Sequence, residues 1–332
     1  MKYASMTLRA TILLVLLALM FTALLLVLPP ARREAVMLRI ERGSTLSQIA
    51  IQLRDQKVIT STNVFRLIMK IGGRDRMIKA GTYSFPAGIS TLQAANMISK
   101  GQTIARKVLI PEGRTMRQIA DILASEGITG AEDFLAAAKD EVAAREAGIP
   151  HGNFEGYLFP DTYLLEPDSS ARDVVAMMTR RFFEVTASLG KSVSPEALHR
   201  AVIIASIVER EYRKADEAPL IASVFYNRLA SGMPLQSCAT VAYVLTEHQG
   251  KPHPSQIFYS DLQIDDPYNT YRYKGLPPGP ISNPGEVALS AALFPAETDF
   301  LYFRLLDDGN GVHRFSRTFE EHTGAPIRTK GL

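Results

Sequence analysis

Residues 195–211 place the tightest constraint on how this chain folds. Ala201-Val-Ile-Ile-Ala-Ser-Ile-Val208 is apolar on every side of a helix, so it has no face to turn to water and must be a core element. Ser194-Pro195-Glu196 is a strong helix start, with Ser as N-cap and Pro at the first helical position. The segment then ends in Glu209-Arg210-Glu211. Leu198, Val202, Ala205, Glu209 and Tyr212 fall on one stripe, which places a carboxyl group in line with core residues. Such a carboxyl is costly to ionise, and its pKa should rise toward the range a general acid needs at neutral pH. The competing reading is an ordinary helix-end ion pair of Glu209 with Arg210 or Arg213. The pattern alone separates neither these two roles nor Glu209 from Glu211.

The 332 residues suffice for a membrane anchor and two compact units. With 46% hydrophobic and 21% charged residues the composition is that of a globular protein. The formal charge of +3, without a basic helix or an aromatic-interleaved Lys/Arg stripe, argues against nucleic acid as a partner. A single cysteine, Cys238, excludes an intrachain disulfide framework and a Cys-based zinc site. His313 and His322 lack a nearby pair of acids and make a poor metal set.

Ala10–Leu28 is an uncharged run rich in Leu, Val and Ala, long enough to span a bilayer as one helix. Val27-Leu-Pro-Pro30 offers no small-x-small cleavage site, which favours an uncleaved anchor over a signal peptide. Lys2 and Arg9 argue for the N-terminus inside, against Arg32 and Arg33 on the other flank. The simplest topology leaves the remainder outside the cytoplasm.

An internal repeat follows. Ile40-Glu-Arg-Gly43-Ser-Thr45-Leu-Ser-Gln48-Ile-Ala50 recurs 70 residues later as Ile110-Pro-Glu-Gly113-Arg-Thr115-Met-Arg-Gln118-Ile-Ala120. Each copy predicts a strand, a Gly turn, a Thr N-cap and an amphipathic helix. A helical pattern over 63–71 and a strand over Gly81–Phe85 complete a strand–helix–helix–strand order in the first copy. This order resembles LysM modules, which bind N-acetylglucosamine glycans; a small spacer unit explains it equally well. Helical periodicity also marks 131–147 and 171–189, and the density of Pro, Gly, Asn and Asp beyond Pro252 predicts long structured loops.

Three loop segments carry chemistry. Phe154-Glu-Gly-Tyr-Leu-Phe-Pro-Asp-Thr-Tyr163 packs four aromatics that either line a sugar cleft or cover the core. Pro234-Leu-Gln236 follows a Gly turn that can aim Gln236 into a cleft. Tyr268-Asn269-Thr270-Tyr271 offers stacking faces and an amide, a suitable set for carbohydrate. Ser206 sits mid-helix without a Gly-x-Ser-x-Gly elbow and is better read as back-bonding to the preceding turn than as a nucleophile.

Taken with Ser223-Val-Phe-Tyr-Asn227-Arg-Leu229 and Gly275-Leu-Pro-Pro-Gly-Pro-Ile281, these segments resemble the YceG-like endolytic murein transglycosylases across nearly the whole chain. The resemblance implies an α+β chain with an N-terminal transmembrane helix and tether (1–34), a LysM-like βααβ subdomain (35–103) and a larger catalytic domain (104–332). It implies an inner-membrane enzyme that acts on peptidoglycan strands outside the cytoplasm, with no cofactor or metal. Peptidoglycan synthases and division proteins would be its expected protein partners. Glu209 maps onto the family's catalytic acid. Gln236, Tyr268, Asn269, Thr270, Tyr271 and Asn227 are the candidates for holding the sugar. One departure stands out: Cys238-Ala239 occupy positions where the family usually has Asp-Pro. A muramidase and a non-catalytic glycan-binding scaffold remain the alternatives.

Overall fold

A computed structural model describes Met20 and residues 34–324, apart from positions 42, 72, 151 and 307–309. The predicted anchor, Met20 excepted, lies outside the described residues. No described helix is long and apolar enough to cross a membrane. The chain forms two compact units of mixed α and β structure, the first ending at Arg106 and the second beginning at Lys107.

In the first unit, β1 (Val36–Ile40) pairs antiparallel with β2 (Gly81–Phe85), Val36 facing Phe85 and Ile40 facing Gly81. Between them lie α1 (Leu46–Asp55) and α2 (Thr62–Ile71), and α3 (Thr91–Lys100) follows. The strand–helix–helix–strand order read from sequence is present. Ile49, Leu53, Phe65, Met69, Tyr83, Phe85 and Ile98 form the core.

Both copies of the repeat fold alike, for the same local reasons. Gly43 and Gly113 take left-handed backbone angles (φ 82° and 71°) that L side chains rarely adopt. Thr45 then caps α1, and Thr115 caps α4 (Met116–Ser125). Each cap is a complete capping box: the Thr hydroxyl accepts from the backbone of Gln48 or Gln118, and that Gln side chain accepts from the cap's own N–H.

In the second unit, the second copy's strand β3 (Arg106–Leu109) pairs with β4 (Thr162–Leu165). The stretch 131–147, marked by helical periodicity, holds two helices: α5 (Ala131–Ala138) and α6 (Glu141–Glu146). Asp140 causes the break, because its carboxylate accepts from Val142 and Ala143 N–H and starts a new helix. Next come α7 (Ala171–Ser188), α8 (Pro195–Glu211), α9 (Ala218–Ala230), α10 (Cys238–Tyr243) and α11 (Glu286–Leu293). The antiparallel hairpin β5 (Tyr302–Leu305) and β6 (His313–Ser316) precedes the short α12 (Phe319–Thr323).

Helix α8 is the axis of this unit. Residues Ala201–Val208 are all buried, and α9, α10 and α11 pack around them. Ser194 caps its start by accepting from Ala197 N–H, with Pro195 at the first position. Ser206 hydroxyl donates to Ile203 carbonyl (2.7 Å), as expected of a mid-helix Ser, and also accepts from Ile281 N–H (3.0 Å). Ser282 hydroxyl donates to Ser206 carbonyl (3.1 Å), so the Gly275–Ile281 segment is fastened directly to the helix.

The aromatic segment 154–163 covers the core. Phe154, Tyr157, Phe159 and Tyr163 are all buried, with Tyr157 against Phe182 and its hydroxyl 2.9 Å from His199 Nδ1. These rings are therefore packing residues, and the sugar-cleft reading of them is set aside. Gly156 makes the packing possible. A Cβ there would lie 2.6 Å from the Pro280 ring and 2.8 Å from Val202.

Candidate active site

The last turn of α8 sends three consecutive side chains to three loops. Glu209 Oε2 accepts from Gly285 N–H (3.0 Å), the N-cap residue of α11. Arg210 donates to Gly113 carbonyl (3.0 Å) and lies 3.0 Å from His253 Nε2. Glu211 accepts from Ser237 hydroxyl (2.5 Å) at the start of α10. Successive helix positions turn by about 100°, so one helix end can address three directions.

Glu209 is half-buried. Burial pushes its pKa up to about 7, and the Glu112 carboxylate nearby adds to the rise, while Gly285 N–H and Arg210 oppose it. Burial also raises the Glu211 pKa, countered first by the Ser237 hydrogen bond. Both acids are perturbed, but they differ in surroundings. Glu209 faces a glycine N–H, the Gly113 turn and Glu112, whereas Glu211 is tied into the α10 cap. Tyr212 lies close to both Glu209 and Glu112, and burial together with their charge raises its pKa.

A buried polar frame holds the Gly113 and Gly285 loops around Glu209. Asn283 is its pin. Its amide donates to Arg114 carbonyl (2.9 Å) and to Glu155 Oε1 (2.8 Å), and its Oδ1 accepts from Leu158 N–H (2.8 Å). Its backbone pairs with Arg114 as an isolated β-bridge, and Gly113 N–H donates to its carbonyl (2.9 Å). Both Glu155 oxygens sit 3.1 Å from Met116 N at the start of α4. Complete burial pushes the Glu155 pKa up to about 8 despite these donors. Sequence reading passed over Glu112, Glu155 and Asn283. Glu112 and Glu155 lie within segments that stood out, whereas Asn283 lies two residues beyond the Gly275–Ile281 segment.

The other candidates divide into two groups. Gln236 is exposed and holds a left-handed backbone (φ 53°), its N–H donating to Thr270 carbonyl (3.1 Å). A non-glycine residue in that region is strained, and the surrounding loops keep it there. Tyr271 is half-buried, its hydroxyl 3.1 Å from Cys238 Sγ. Gln236, Tyr271 and Cys238 thus gather on the Glu211 side of the helix end, since Glu211 contributes to the raised pKa of Tyr271.

Asn269 and Thr270 are enclosed. Asn269 amide donates to Leu262 and Ile264 carbonyls (3.0 and 2.8 Å) and its Oδ1 accepts from Tyr271 N–H (3.1 Å). Thr270 Oγ1 accepts from Ser237 N–H (3.1 Å) and lies 2.9 Å from Thr240 Oγ1. Their hydrogen-bonding capacity is spent on the loop frame, which corrects the expectation that they face a ligand. Tyr268 packs on Tyr243 and His248. Asn227 is remote in function as well: its amide ties α9 to the carbonyls of Thr298 and Phe300 (2.8 and 3.0 Å).

Of the two departing positions, only Ala239 has a local account in the structure. Ala239 N–H donates to the Ser237 hydroxyl that caps α10 (3.2 Å), a bond that proline could not make. A depression of about 1020 Å³ between α5, α6 and α7 holds none of these residues.

A half-buried carboxylic acid with a pKa near neutrality, held by a backbone N–H among three loops, is the equipment of a general acid–base enzyme. The chain belongs to the YceG-like family, whose model matches residues 38–326. It is 34% identical to an endolytic murein transglycosylase of Bacillus subtilis over 88% of this chain and 84% of that protein. It is 28% identical to an endolytic murein transglycosylase of Streptococcus pneumoniae, covering 87% of this chain and 57% of the longer relative. A crystal structure of a YceG-like protein from Listeria monocytogenes superposes with a TM-score of 0.58 at 34% identity, covering 89% of this chain and all of the other.

Proposed function

We propose that the chain is an endolytic peptidoglycan transglycosylase with Glu209 as its catalytic acid. The placement of Glu209 carries the reading. An acid with a pKa of about 7 is part protonated and part ionised at neutral pH, so it can both give and take a proton in one cycle. With Gly285 N–H on Oε2, Oε1 is the oxygen left to carry the acidic proton.

The reaction then runs as follows. Glu209 protonates the oxygen of the β-1,4 bond between N-acetylmuramic acid and N-acetylglucosamine, and the bond from that oxygen to the muramoyl C1 breaks. The muramoyl C6 hydroxyl attacks C1, and the Glu209 carboxylate takes its proton. The products are an N-acetylglucosamine end with a free 4-hydroxyl and a 1,6-anhydro-muramoyl end. Water is not consumed, and Glu209 returns protonated. Exposed Gln236 and half-buried Tyr271 and Tyr268 support the reading as sugar contacts, with Asn269, Thr270 and Asn227 fixing the loops that present them.

The 10–28 segment would anchor the enzyme in the inner membrane, with residues 104–332 acting on new strands outside the cytoplasm. There it would end glycan elongation, with synthases and division proteins as neighbours. The first unit, LysM-like in its strand–helix–helix–strand order, would hold the glycan or space the catalytic domain from the membrane.

The test is Glu209→Gln in the full-length protein, incubated with purified sacculi and read by mass spectrometry. Anhydro ends from the parent and none from the variant support the proposal. Anhydro ends from both remove Glu209 from the reaction. Reducing ends would identify a muramidase, and no product from either protein a scaffold.

A further inference from the structure

The resemblance invokes one carboxyl group, but the structure brings a second to the same glycine. Glu112 lies in the turn between β3 and α4, one residue before Gly113. Its carboxylate fills the space a side chain at Gly285 would need: a Cβ built on Gly285 falls 2.0 Å from Glu112 Oε1 and 2.4 Å from Cδ. The same Gly285 donates its N–H to Glu209. A side chain at Gly285 would therefore have to push aside the Glu112 carboxylate, the end of an exposed and flexible side chain, while the backbone there (φ −80°, ψ 179°) is one that any residue adopts.

The repeat sets this acid apart. At the matching place the first copy has Arg42 before Gly43, where the second has Glu112 before Gly113. The two copies share the strand, the left-handed glycine and the capped helix, and their sequences differ in charge at the residue before that glycine. Asn283 holds the backbone of Gly113 and Arg114, next to Glu112, and the Glu112 carboxylate lies beside Gly285 at the start of α11.

We propose that Glu112 is a second functional carboxyl of this site, a positioning residue whose negative charge keeps the reacting proton on Glu209. The inference rests on the transglycosylase reading above. The charged and titratable groups around Glu209 come from each neighbouring element. Arg210 and Tyr212 lie on its own helix, Glu112 on the turn before α4 with Arg114 facing Arg210, and Gly285 N–H on α11. Arg210 and the N–H favour the carboxylate form; Glu112 opposes them. Without Glu112 the balance moves toward ionisation, and less of the enzyme holds the acid form at neutral pH.

The experiment compares pH–rate profiles of the full-length parent, Glu112→Gln and Glu112→Asp, with release of anhydro ends as the assay. Glu112→Gln should move the alkaline limb of kcat/KM down by about half a pH unit, which near pH 7.5 is roughly a threefold loss, with little change near pH 5.5. Glu112→Asp should recover part of the shift. Gly285→Ala is the second probe: it keeps every charge but displaces the Glu112 carboxylate, and should move the limb the same way. Infrared titration of the Glu209 carboxyl band, assigned against Glu209→Gln, reads the shift without turnover.

An unmoved limb and an unmoved band in both Glu112→Gln and Gly285→Ala would overturn the role of Glu112 while leaving Glu209 as the acid. Reducing-end products that disappear in Glu112→Gln would also overturn it, by making Glu112 the water-activating carboxylate of a hydrolase. A parent protein that releases no anhydro ends would bring down the transglycosylase reading itself.

Discussion

Gly156→Ala should be among the most damaging single-methyl additions in the second unit. Two penalties combine. Gly156 has φ 86°, where an L side chain costs about 1–2 kcal/mol. Its Cβ would also lie 2.6 Å from Pro280 and 2.8 Å from Val202, distances that real carbon pairs do not reach. Relieving such overpacking costs a further 1–3 kcal/mol or so. The total is roughly 2–5 kcal/mol. Gly148 supplies the control, with a similar φ of 83° and nothing within 4 Å of its Cβ. Gly148→Ala carries the backbone penalty alone, so the difference between the two variants isolates the close approach.

The chain has no tryptophan and two units, so a fluorescence melt would be ambiguous. Hydrogen exchange followed by mass spectrometry on peptides from 195–211 reports the second unit directly. Protection of α8 should fall roughly five- to 150-fold more in Gly156→Ala than in Gly148→Ala, the equivalent of that further 1–3 kcal/mol. Because the Pro280 segment leads into Asn283 and Gly285, release of anhydro ends should fall with it. Equal loss of protection in the two variants would refute the argument that close approach, rather than backbone angle, makes glycine necessary at 156.

Two further outcomes follow from the buried frame. Glu155, at about pKa 8, binds a proton in the folded chain that the unfolded chain has already released above the ordinary 4.5. Folded protein therefore holds more protons between those values, and stability falls as pH rises from about 5 to 8; Glu209 adds to the same slope up to about 7. Denaturant midpoints measured across that range should fall steadily in the parent and much less in Glu155→Gln. Asn283→Ala strips partners from Leu158 N–H, the Arg114 carbonyl and Glu155, and should cost roughly 2–4 kcal/mol by exchange at α8, with most activity lost.

Local rules carried the sequence reading a long way. The capped start of α8, the two Thr helix caps and the Gly81–Phe85 strand are each decided within a few residues, and each was legible. The break at Asp140 was missed because apolar periodicity continues on both sides of it, while the carboxylate that divides the helices is a single short-range bond. The site was legible only as an acid on a core stripe. Glu112 and Asn283 lie 97 and 74 positions from Glu209, and what joins them to it is loop packing, which leaves no period in the sequence. Asn269 and Thr270 misled for the opposite reason. Amide and hydroxyl groups suit a sugar, but they suit buried carbonyls equally well, and burial is what the structure decides. The signal for Glu112 was present in the repeat, at the residue before the shared glycine, where the two copies carry opposite charges.

The end of α8 also has a mechanical consequence. Glu209, Arg210 and Glu211 each grip a different loop, and all three hang from one helix that is wedged among its neighbours. Three attachments on a single rod leave it almost no freedom to turn: twisting the last turn would have to drag the α11 start, the Gly113 turn and the α10 start together. A strand of glycan pressing on any one of those loops is therefore felt at the acid through bonds of about 3 Å rather than through a hinge. The helix end works as a hub, and aim at the scissile bond is set by its spokes.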